Sequence, residues 1–292
     1  MKVAVIGPVV KDIVTIDGVS EKYIGGIPYY ESRVLRALGA EVAAFVTYAK
    51  DDKQLVEKNF KGVEIHPIYT ETTLVHELIY SSKNPDVRKI IIHEYSPNIF
   101  STGKKLINTL EGFDYIILGP LYFENVPYEF FEQMKGSNLV LGNYGLFTYN
   151  IKGIQVRKNP ENLANIAQFL KLLFLDEDEI KFAAQKETIE DSANHFLKLG
   201  VGCVVVTKGS KGSEIFTKDN KYSIPAFIPQ KIVDPTGAGD TYLSAFIYSE
   251  KLFNDIQKRG EFAAMAATIV IEKKGAFNGS TEEIMDRLKK QK

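Results

Sequence analysis

The stretch of this sequence whose residue types could do chemistry runs from Val233 to Thr241, Val-Asp-Pro-Thr-Gly-Ala-Gly-Asp-Thr. Gly237, Ala238 and Gly239 leave a turn nearly bare of side chains, and the apolar spacing of the following residues is typical of an amphipathic helix. We therefore expect a helix to begin at this turn. Backbone N–H groups without partners at such a helix start, together with the helix dipole, form a site for phosphate oxygens.

Asp240 lies in the same turn, where its carboxylate would repel a phosphate group unless it had a chemical task. The task that fits is to accept the proton of a hydroxyl group as that hydroxyl attacks phosphorus. A simpler interpretation is a glycine-rich turn that only caps a helix, with Asp240 favourably placed in its first turn. A cap needs a single Asp or Gly, so the whole arrangement favours phosphoryl transfer.

The run from Asp234 to Asp240 resembles the second signature of the ribokinase/PfkB carbohydrate kinase family, Asp-Thr-x-Gly-Ala-Gly-Asp, with Pro235 in place of the usual threonine. The resemblance implies an ATP-dependent phosphotransferase with an alcohol group as acceptor, in which Asp240 is the catalytic base. It also implies that the amides of residues 237–239 hold the charge on the transferring phosphoryl group.

The same resemblance assigns the acceptor site to residues from the first half of the chain. Asp12 would accept hydrogen bonds from substrate hydroxyls, and bare backbone at Gly25 and Gly26 would let the substrate approach. Tyr30 stands where the family usually carries asparagine, which predicts a substrate other than ribose that packs against an aromatic ring. Asn143 is a candidate substrate contact in a loop that lacks the Asp and Arg of many relatives. A solvated loop acid is the alternative for Asp12.

Further segments resemble the nucleotide and metal sites of the family. Asp176 and Glu179 take the places of an Asn-x-x-Glu motif, where Glu179 would order water around Mg²⁺ near the phosphates. An acidic first turn of a helix would have the same sequence, and core packing would equally explain small residues in the apolar helix at 262–271. The remaining assignments are Asp176, Thr207, Gly209 and Gly212 at the nucleotide, Ala263 and Ala267 against adenine, Gly275 beside the base or a monovalent cation, and Asp234 and Thr236 at a K⁺ site.

Apolar runs and helical patterns alternate around these motifs. Runs that end in Gly, Asp, Thr or Lys predict buried parallel strands, and in a doubly wound sheet their carboxyl ends line one edge, where ligands bind. We predict one domain over residues 1–292, of the ribokinase-like α/β class, with a mostly parallel sheet flanked by helices. Strand patterns at about 11–18 and 72–95, with a turn at 84–86, predict a small antiparallel sheet, which in the family is a lid over the sugar.

Composition and charge argue against several classes of protein. The 292 residues carry 36 basic and 37 acidic side chains, so nothing favours binding to nucleic acid or to a membrane surface. No stretch approaches the ~18 apolar residues of a membrane span. The single cysteine, Cys203, excludes a disulfide within the chain and is consistent with a cytoplasmic protein. In several relatives the lid is also the dimer contact, so the resemblance predicts a homodimer through the lid.

The sequence thus predicts a kinase that uses ATP and Mg²⁺ to phosphorylate a hydroxyl of a sugar or of a cyclitol such as myo-inositol. A nucleoside kinase of the same family is the alternative. A non-catalytic sugar or nucleoside sensor on this fold is a second class, disfavoured by the presence of Asp240 and the glycines. A dinucleotide-dependent oxidoreductase is a third, disfavoured because Gly-x-Gly-x-x-Gly does not follow the first strand.

Overall fold

The computed structural model describes residues 1–81, 84–97, 100, 103–142 and 145–291, with the backbone alone for 80, 81 and 84–88. Fifteen strands lie within these residues. They are β1 Lys2–Pro8, β2 Val10–Ile16, β3 Val19–Gly25, β4 Glu41–Ala49, β5 Glu64–Thr70, β6 Leu74–Ser81, β7 Asn84–Glu94, β8 Tyr115–Leu118, β9 Leu139–Leu141, β10 Thr148–Ile151, β11 Ile154–Arg157, β12 Leu170–Asp176, β13 Cys203–Thr207, β14 Ser213–Thr217 and β15 Lys221–Ile224.

Ten α-helices lie in the same part of the chain. They are α1 Ile27–Leu38, α2 Lys53–Asn59, α3 Lys104–Leu110, α4 Tyr128–Gln133, α5 Leu163–Ala167, α6 Glu177–Ala184, α7 Ile189–Lys198, α8 Ala238–Tyr248, α9 Ile256–Val270 and α10 Thr281–Lys290. None of the helices described here is long and apolar enough to cross a membrane.

The main sheet has the strand order β15-β14-β13-β12-β9-β8-β1-β4-β5. The strands from β13 to β5 pair in parallel, and β14 and β15 add an antiparallel edge. Early strands are added on one side of β1 and later ones on the other, so the strand order reverses beside β1. In open sheets of this kind, ligands bind in the crevice at the carboxyl ends of the strands near such a reversal.

Alternate side chains of β1 show how the sheet separates two apolar layers. Val3 and Val5 belong to the layer that includes α1, α8 and α9, whereas Ala4 and Ile6 belong to the layer that includes α4, α6 and α7. Successive side chains of a strand point to opposite faces, so helices cover both faces of the sheet. The predicted doubly wound architecture is confirmed.

A second sheet, of order β3-β2-β6-β7, contains the predicted lid segments. Strands β2 and β3 form one antiparallel hairpin, β6 and β7 form another, and parallel pairing of β2 with β6 joins them. Strand β3 was not predicted, because most of its side chains are exposed and it lacks a clear apolar alternation. The predicted turn at 84–86 is wrong, since β7 already begins at Asn84 and residues 82–83 lie outside the described residues.

The sequence patterns also do not predict the hairpin of β10 and β11. Its strands are short and half exposed, so neither has a buried apolar run. The only local signal is the turn, where Lys152 and Gly153 both have positive φ angles, 55° and 81°.

Candidate active site

The predicted helix start is confirmed at α8, which begins at Ala238 with Gly237 as its N-cap. Gly237 has a φ of 77°, a left-handed conformation that favours glycine because glycine has no Cβ. Within the described residues, the N–H groups of Gly237 and Gly239 have no acceptor in the protein, whereas that of Ala238 donates to the Pro235 carbonyl at 3.2 Å. Two of the three predicted phosphate-binding amides are therefore unbonded.

Asp240 lies in the first turn of α8 and is half-buried. Removal of its carboxyl group from water raises its pKa to about 7, and its own backbone N–H opposes this effect in part. A carboxylate with this pKa can accept a proton from a reacting group near neutral pH. The geometry therefore places a base beside unbonded amides.

Tyr30, in the first turns of α1, packs against the bare Gly237. A Cβ on Gly237 would be only 2.8 Å from Cδ1 of the ring. Burial, followed by the charges of Asp12, Asp240 and Asp234, raises the pKa of Tyr30 above its ordinary value. Tyr30 thus lies within electrostatic reach of all three acids, and the structure brings these four predicted site residues together.

Asp12 reaches this site from β2, and its carboxylate lies directly against Gly25, where any side chain would collide with it. Gly26 is the N-cap of α1, with a φ of 93°, and a Cβ there would be 2.5 Å from the carbonyl oxygen of Pro8. Glycine is therefore required at 26 by its backbone conformation and its contact with Pro8, whereas a side chain at 25 would displace the Asp12 carboxylate. Their predicted role in substrate approach is additional to this requirement.

The start of α1 lies over the sheet where the strand order reverses. A Cβ on Gly7, in β1, would be 2.9 Å from Cγ of Pro28, and one on Gly119, after β8, would be 2.8 Å from Cβ of Ile27. The absence of side chains at these two glycines lets α1 pack directly on the strand ends. This contact places Tyr30 about one turn further along, beside α8.

His76 was not anticipated as a neighbour of the site. It is the register partner of Asp12 in the parallel pair of β2 and β6, so both side chains lie on the same face. Its Nε2 lies 3.0 Å from the hydroxyl oxygen of Tyr122, and burial lowers its pKa to about 4. A neutral histidine therefore flanks Asp12. No local sequence pattern predicts this contact, because Tyr122 is distant along the chain.

Asp176 and Thr207 are adjacent at the carboxyl ends of β12 and β13, as the motif assignment requires. Asp176 is also the N-cap of α6, where its Oδ1 accepts the N–H groups of Asp178 at 2.9 Å and Glu179 at 2.8 Å. Glu179 Oε2 accepts the N–H of Asp176 at 3.0 Å in return. This capping box is the structural role that the sequence left open.

The donor set around Glu179 fits Mg²⁺ through water. Within the described ranges, no three or more His, Cys, Asp or Glu side chains are grouped so that they could hold a metal ion. Mg²⁺ usually keeps several waters and takes few protein carboxylates. The capping box uses one oxygen of the Asp176 carboxylate, and Asp176 is exposed and Glu179 half-buried, so water can reach both side chains.

The loop after β13 carries three predicted nucleotide contacts. Gly209 and Gly212 have positive φ angles of 56° and 87°, and the N–H of Lys208 donates to the Gly212 carbonyl at 2.8 Å. A Cβ on Gly212 would collide with the carbonyl oxygen of Ile224, whereas one on Gly209 would meet nothing within 4 Å. Gly212 is thus required by packing, and Gly209 leaves open backbone next to Thr207.

The assignment of Ala263 to the adenine site needs correction. Ala263 is 0% exposed, because α9 packs between α8 and α10 and carries this residue into the core. A base could not contact it, and core packing explains its small side chain. Ala267, one turn later, is half-buried, and Gly275 is exposed in a turn with a φ of 89°. These two remain available to a ligand.

The segment before α8 is tied to the end of α9. The N–H groups of Val233 and Asp234 both donate to the Ile271 carbonyl, at 2.8 and 3.2 Å. Asp234 Oδ1 accepts the N–H of Thr236 at 2.9 Å, so the two predicted K⁺ residues are in contact. The bonds to Ile271 fix the turn that leads to α8.

A buried ion pair strengthens the same connection. Glu272, 6% exposed, accepts two hydrogen bonds from Arg287 of α10, at 2.6 and 2.7 Å, and one from the N–H of Gln230 at 2.7 Å. The bonds from Arg287 lower the pKa of Glu272, so this buried glutamate is ionised.

The lid sheet contacts the loop after α9. Lys274 Nζ lies 2.8 Å from Glu21 Oε2 of β3 and 5.2 Å from the centre of the Tyr23 ring. The lid and the predicted nucleotide side therefore meet across the site. Asn143 lies outside the described residues.

A family model described as pfkB family carbohydrate kinase matches residues 3–283. The nucleoside kinase of Methanocaldococcus jannaschii is 35% identical over 134 residues, which is 45% of this chain and 43% of that protein. The aligned segment thus spans less than half the length of this curated relative.

Solved structures match over nearly the whole chain. A pyrophosphate-dependent kinase in the ribokinase family, complexed with a pyrophosphate analog and myo-inositol, has a TM-score of 0.82 at 20% identity and covers 98% of this chain and 99% of its own. Arabidopsis thaliana ribokinase complexed with ribose and ATP has a TM-score of 0.78 at 20% identity and covers 98% of each chain. At these identities the likeness establishes the fold.

Proposed function

This chain belongs to the pfkB family of carbohydrate kinases, and from this membership we propose that it transfers a phosphoryl group from ATP to a hydroxyl of a small polyhydroxylated substrate, a sugar or a cyclitol such as myo-inositol. One observation carries the proposal. Unbonded amides and a carboxylate of near-neutral pKa lie together in the first turn of α8. The amides suit phosphate oxygens, and the carboxylate suits the proton of an attacking hydroxyl.

The reaction would use these groups in a single in-line step. Asp240 accepts the hydroxyl proton as the oxygen bonds to the γ-phosphorus, and the bond from that phosphorus to the oxygen of ADP breaks. The amides of Gly237 and Gly239 donate to the phosphoryl oxygens as charge spreads over them. A positioned donor of this kind contributes roughly 3–4 kcal/mol to stabilisation of the transition state.

Metal ions would act next to this step. Mg²⁺, when bound, neutralises charge on the phosphates, and Asp176 and Glu179 would hold it through water, as their capping geometry permits. Asp234 and Thr236 remain the residues proposed for a K⁺ ion at the turn before α8.

Two residues support a hydroxyl-rich acceptor. Asp12 supplies a carboxylate that can accept hydrogen bonds from hydroxyl groups, and Tyr30 supplies a ring next to Gly237 against which a carbon ring can pack. The same aromatic ring would suit a nucleoside, and a nucleoside kinase is among the relatives. We therefore keep a nucleoside as the second acceptor class.

A turnover screen with the purified protein tests the proposal. Product formation would be measured over sugars, inositols and nucleosides, with ATP and pyrophosphate as separate donors, because a structural neighbour is named for pyrophosphate. Turnover of a sugar or inositol with ATP supports the proposal, and turnover of nucleosides alone supports the alternative. Turnover with pyrophosphate alone would show that the donor is pyrophosphate and not ATP. Ligand binding without consumption of either donor would indicate a sensor.

The pH dependence of kcat/KM should report the ionisation of Asp240. Only the ionised carboxylate can accept the hydroxyl proton, so kcat/KM should rise with pH through neutrality, with a midpoint near the pKa of about 7. Initial rates between pH 5 and 9 would measure it. A midpoint near 4, the ordinary range of an aspartate, would show that burial does not control this group.

Pairing of two lids in a homodimer stays a prediction. Ile16 and Val19, on either side of the turn between β2 and β3, are 49% and 70% exposed. Contact with a second lid would remove these side chains from water. Light scattering of the wild type and of Val19→Lys would test this, because a lid dimer should dissociate in the variant and a dimer formed elsewhere should not. A cytoplasmic location likewise stays a prediction.

A further inference from the structure

The carboxyl group of Glu31 takes no part in the reaction proposed above, although it lies inside the protein next to the site. Glu31 follows Tyr30 in α1 and is 0% exposed. Among the described residues, neither of its carboxyl oxygens has a hydrogen-bond partner. An ionised carboxylate in this position would have neither water nor a counterion, so burial favours the uncharged acid.

Glu31 fills the space between the end of β9 and α8. A Cβ on Gly142, directly after β9, would be 3.0 Å from Glu31 Oε1 and would also collide with the side chain of Leu243. Leu243 and Asp240 are three residues apart on α8 and are therefore neighbours on its surface. Glu31 thus lies beneath the edge where the parallel strands end, close to the catalytic base.

The charge that acts on Glu31 is that of Asp240. The pKa of Glu31 is raised well above its ordinary value. Burial is the larger cause, and the charge of Asp240 is the second. In the part of the chain that the structure describes, no cation pairs with the Glu31 carboxyl to offset these effects. Ionisation of Asp240 therefore makes loss of the Glu31 proton less favourable.

The other charged groups on the elements packed against α1 have partners or lie elsewhere. These elements are β1, β3, β4 and α8. Lys2 of β1 and Glu41 of β4 lie 3.5 Å apart at the amino ends of their strands, opposite the site. Glu21 of β3 pairs with Lys274. Lys22 of β3 is exposed, and Arg33 and Arg36 of α1 line a surface cleft.

We infer that Glu31 is a positioning residue that keeps its proton while Asp240 loses its own, so that Glu31 adds no further negative charge beside the base when the phosphates arrive. The inference rests on the proposed role of Asp240 as the base. Phosphoryl groups are strongly anionic, and a second carboxylate beside the first would repel them. Two adjacent carboxylates would also push α1 from α8 and displace Tyr30 from Gly237.

The sign of the pH effect follows from the retained proton. The unfolded chain releases this proton near the ordinary value of 4.5, whereas the folded chain keeps it to a much higher pH. The stability contribution of Glu31 is therefore fully present below about pH 4.5 and falls as pH rises, until the folded form ionises. Once Glu31 ionises, kcat/KM should fall as well.

Glu31→Gln tests the inference, because it replaces the acid with an uncharged group of the same shape. We expect the stability of this variant relative to wild type to increase as pH rises above 4.5, and its kcat/KM to lose the alkaline decline of the wild type. Glu272→Gln is the matched control. Its buried glutamate is ionised, so the stability of this variant relative to wild type should fall as pH rises toward 4.5 and should not increase above it.

Two measurements do not depend on that variant or on kinase activity. Glu31→Leu should show the same pH trend in stability, and above pH 4.5 the infrared spectrum of the wild type should contain a protonated carboxyl band that the spectrum of Glu31→Leu lacks. If the trend of the Glu31 variants matches that of Glu272→Gln, or the band is missing, Glu31 is ionised and the inference is overturned. Absence of phosphoryl transfer with every donor and acceptor would instead reject the proposed function.

Discussion

Replacement of Asp240 by asparagine should lower kcat by about 10²–10⁴-fold, the range for loss of a positioned general base. The asparagine amide cannot accept the hydroxyl proton, although it has nearly the same shape. ATP affinity should change little, because the unbonded amides of Gly237 and Gly239 are backbone groups. Steady-state kinetics with the acceptor identified by the screen, and ATP binding by calorimetry, would measure both effects.

The same variant should be more stable than wild type at neutral and alkaline pH. The folded pKa of Asp240, about 7, exceeds the ordinary 3.8, so the folded chain keeps a proton that the unfolded chain releases. Wild-type stability from this group is therefore present below pH 4 and lost between about 4 and 7, by up to about 4 kcal/mol. Asparagine does not titrate, so thermal unfolding should show the gain at pH 8 and not at pH 4.

Asp286→Asn is the control for this prediction, since it makes the same chemical change at an exposed position of α10. It should leave turnover and the pH profile of stability close to wild type. If Asp240→Asn keeps near-normal turnover, the assignment of the base is wrong. A loss of turnover together with a loss of stability at pH 8 would point to a structural role.

Gly237→Ala should reduce kcat/KM by about 10²-fold, a loss typical of a displacement of about 1 Å in a catalytic group. A non-glycine residue at the φ of 77° costs about 1–2 kcal/mol. The new Cβ would also lie 2.8 Å from the Tyr30 ring, which is closer than contact distance. The ring or the start of α8 must therefore move, and either movement displaces the unbonded amide from the phosphoryl group.

Gly153→Ala separates the two effects of that change. Gly153 has a similar φ of 81°, but a Cβ there would meet nothing within 4 Å. This control variant therefore carries only the conformational cost of a non-glycine residue at positive φ. Its position is in the β10–β11 turn. Chemical unfolding should show a similar backbone penalty for both variants, whereas only Gly237→Ala should lose activity. Equal activities would exclude a role for the contact between Tyr30 and Gly237.

The exposed strand β3 of the lid and the buried Ala263 of α9 show what a local sequence pattern does not reveal. The apolar period of α9 predicts a buried helix, and nine of its residues are buried. The period does not say which small residue faces a ligand and which faces another helix. Ala263 points into the core because α8 and α10 cover α9, and that arrangement is set by contacts between distant segments.

Local chemistry determined the parts of this protein that depend on a few consecutive residues. The helix start at Ala238, the span of α1 between Gly26 and Gly39, and the apolar strands of the main sheet follow from glycine conformation and side-chain periodicity. These predictions hold in the folded protein because turn geometry and the pleat of a strand are properties of the local chain.

Tertiary structure alone decided the contacts that give the site its chemistry. Tyr30 on Gly237, and Glu31 between β9 and α8, join segments far apart in the sequence. The near-neutral pKa of Asp240 likewise comes from loss of water, which depends on what the rest of the chain packs around it. Residue types and spacing therefore predicted Asp240 as the base, while its proton affinity and its neighbours were fixed by long-range packing.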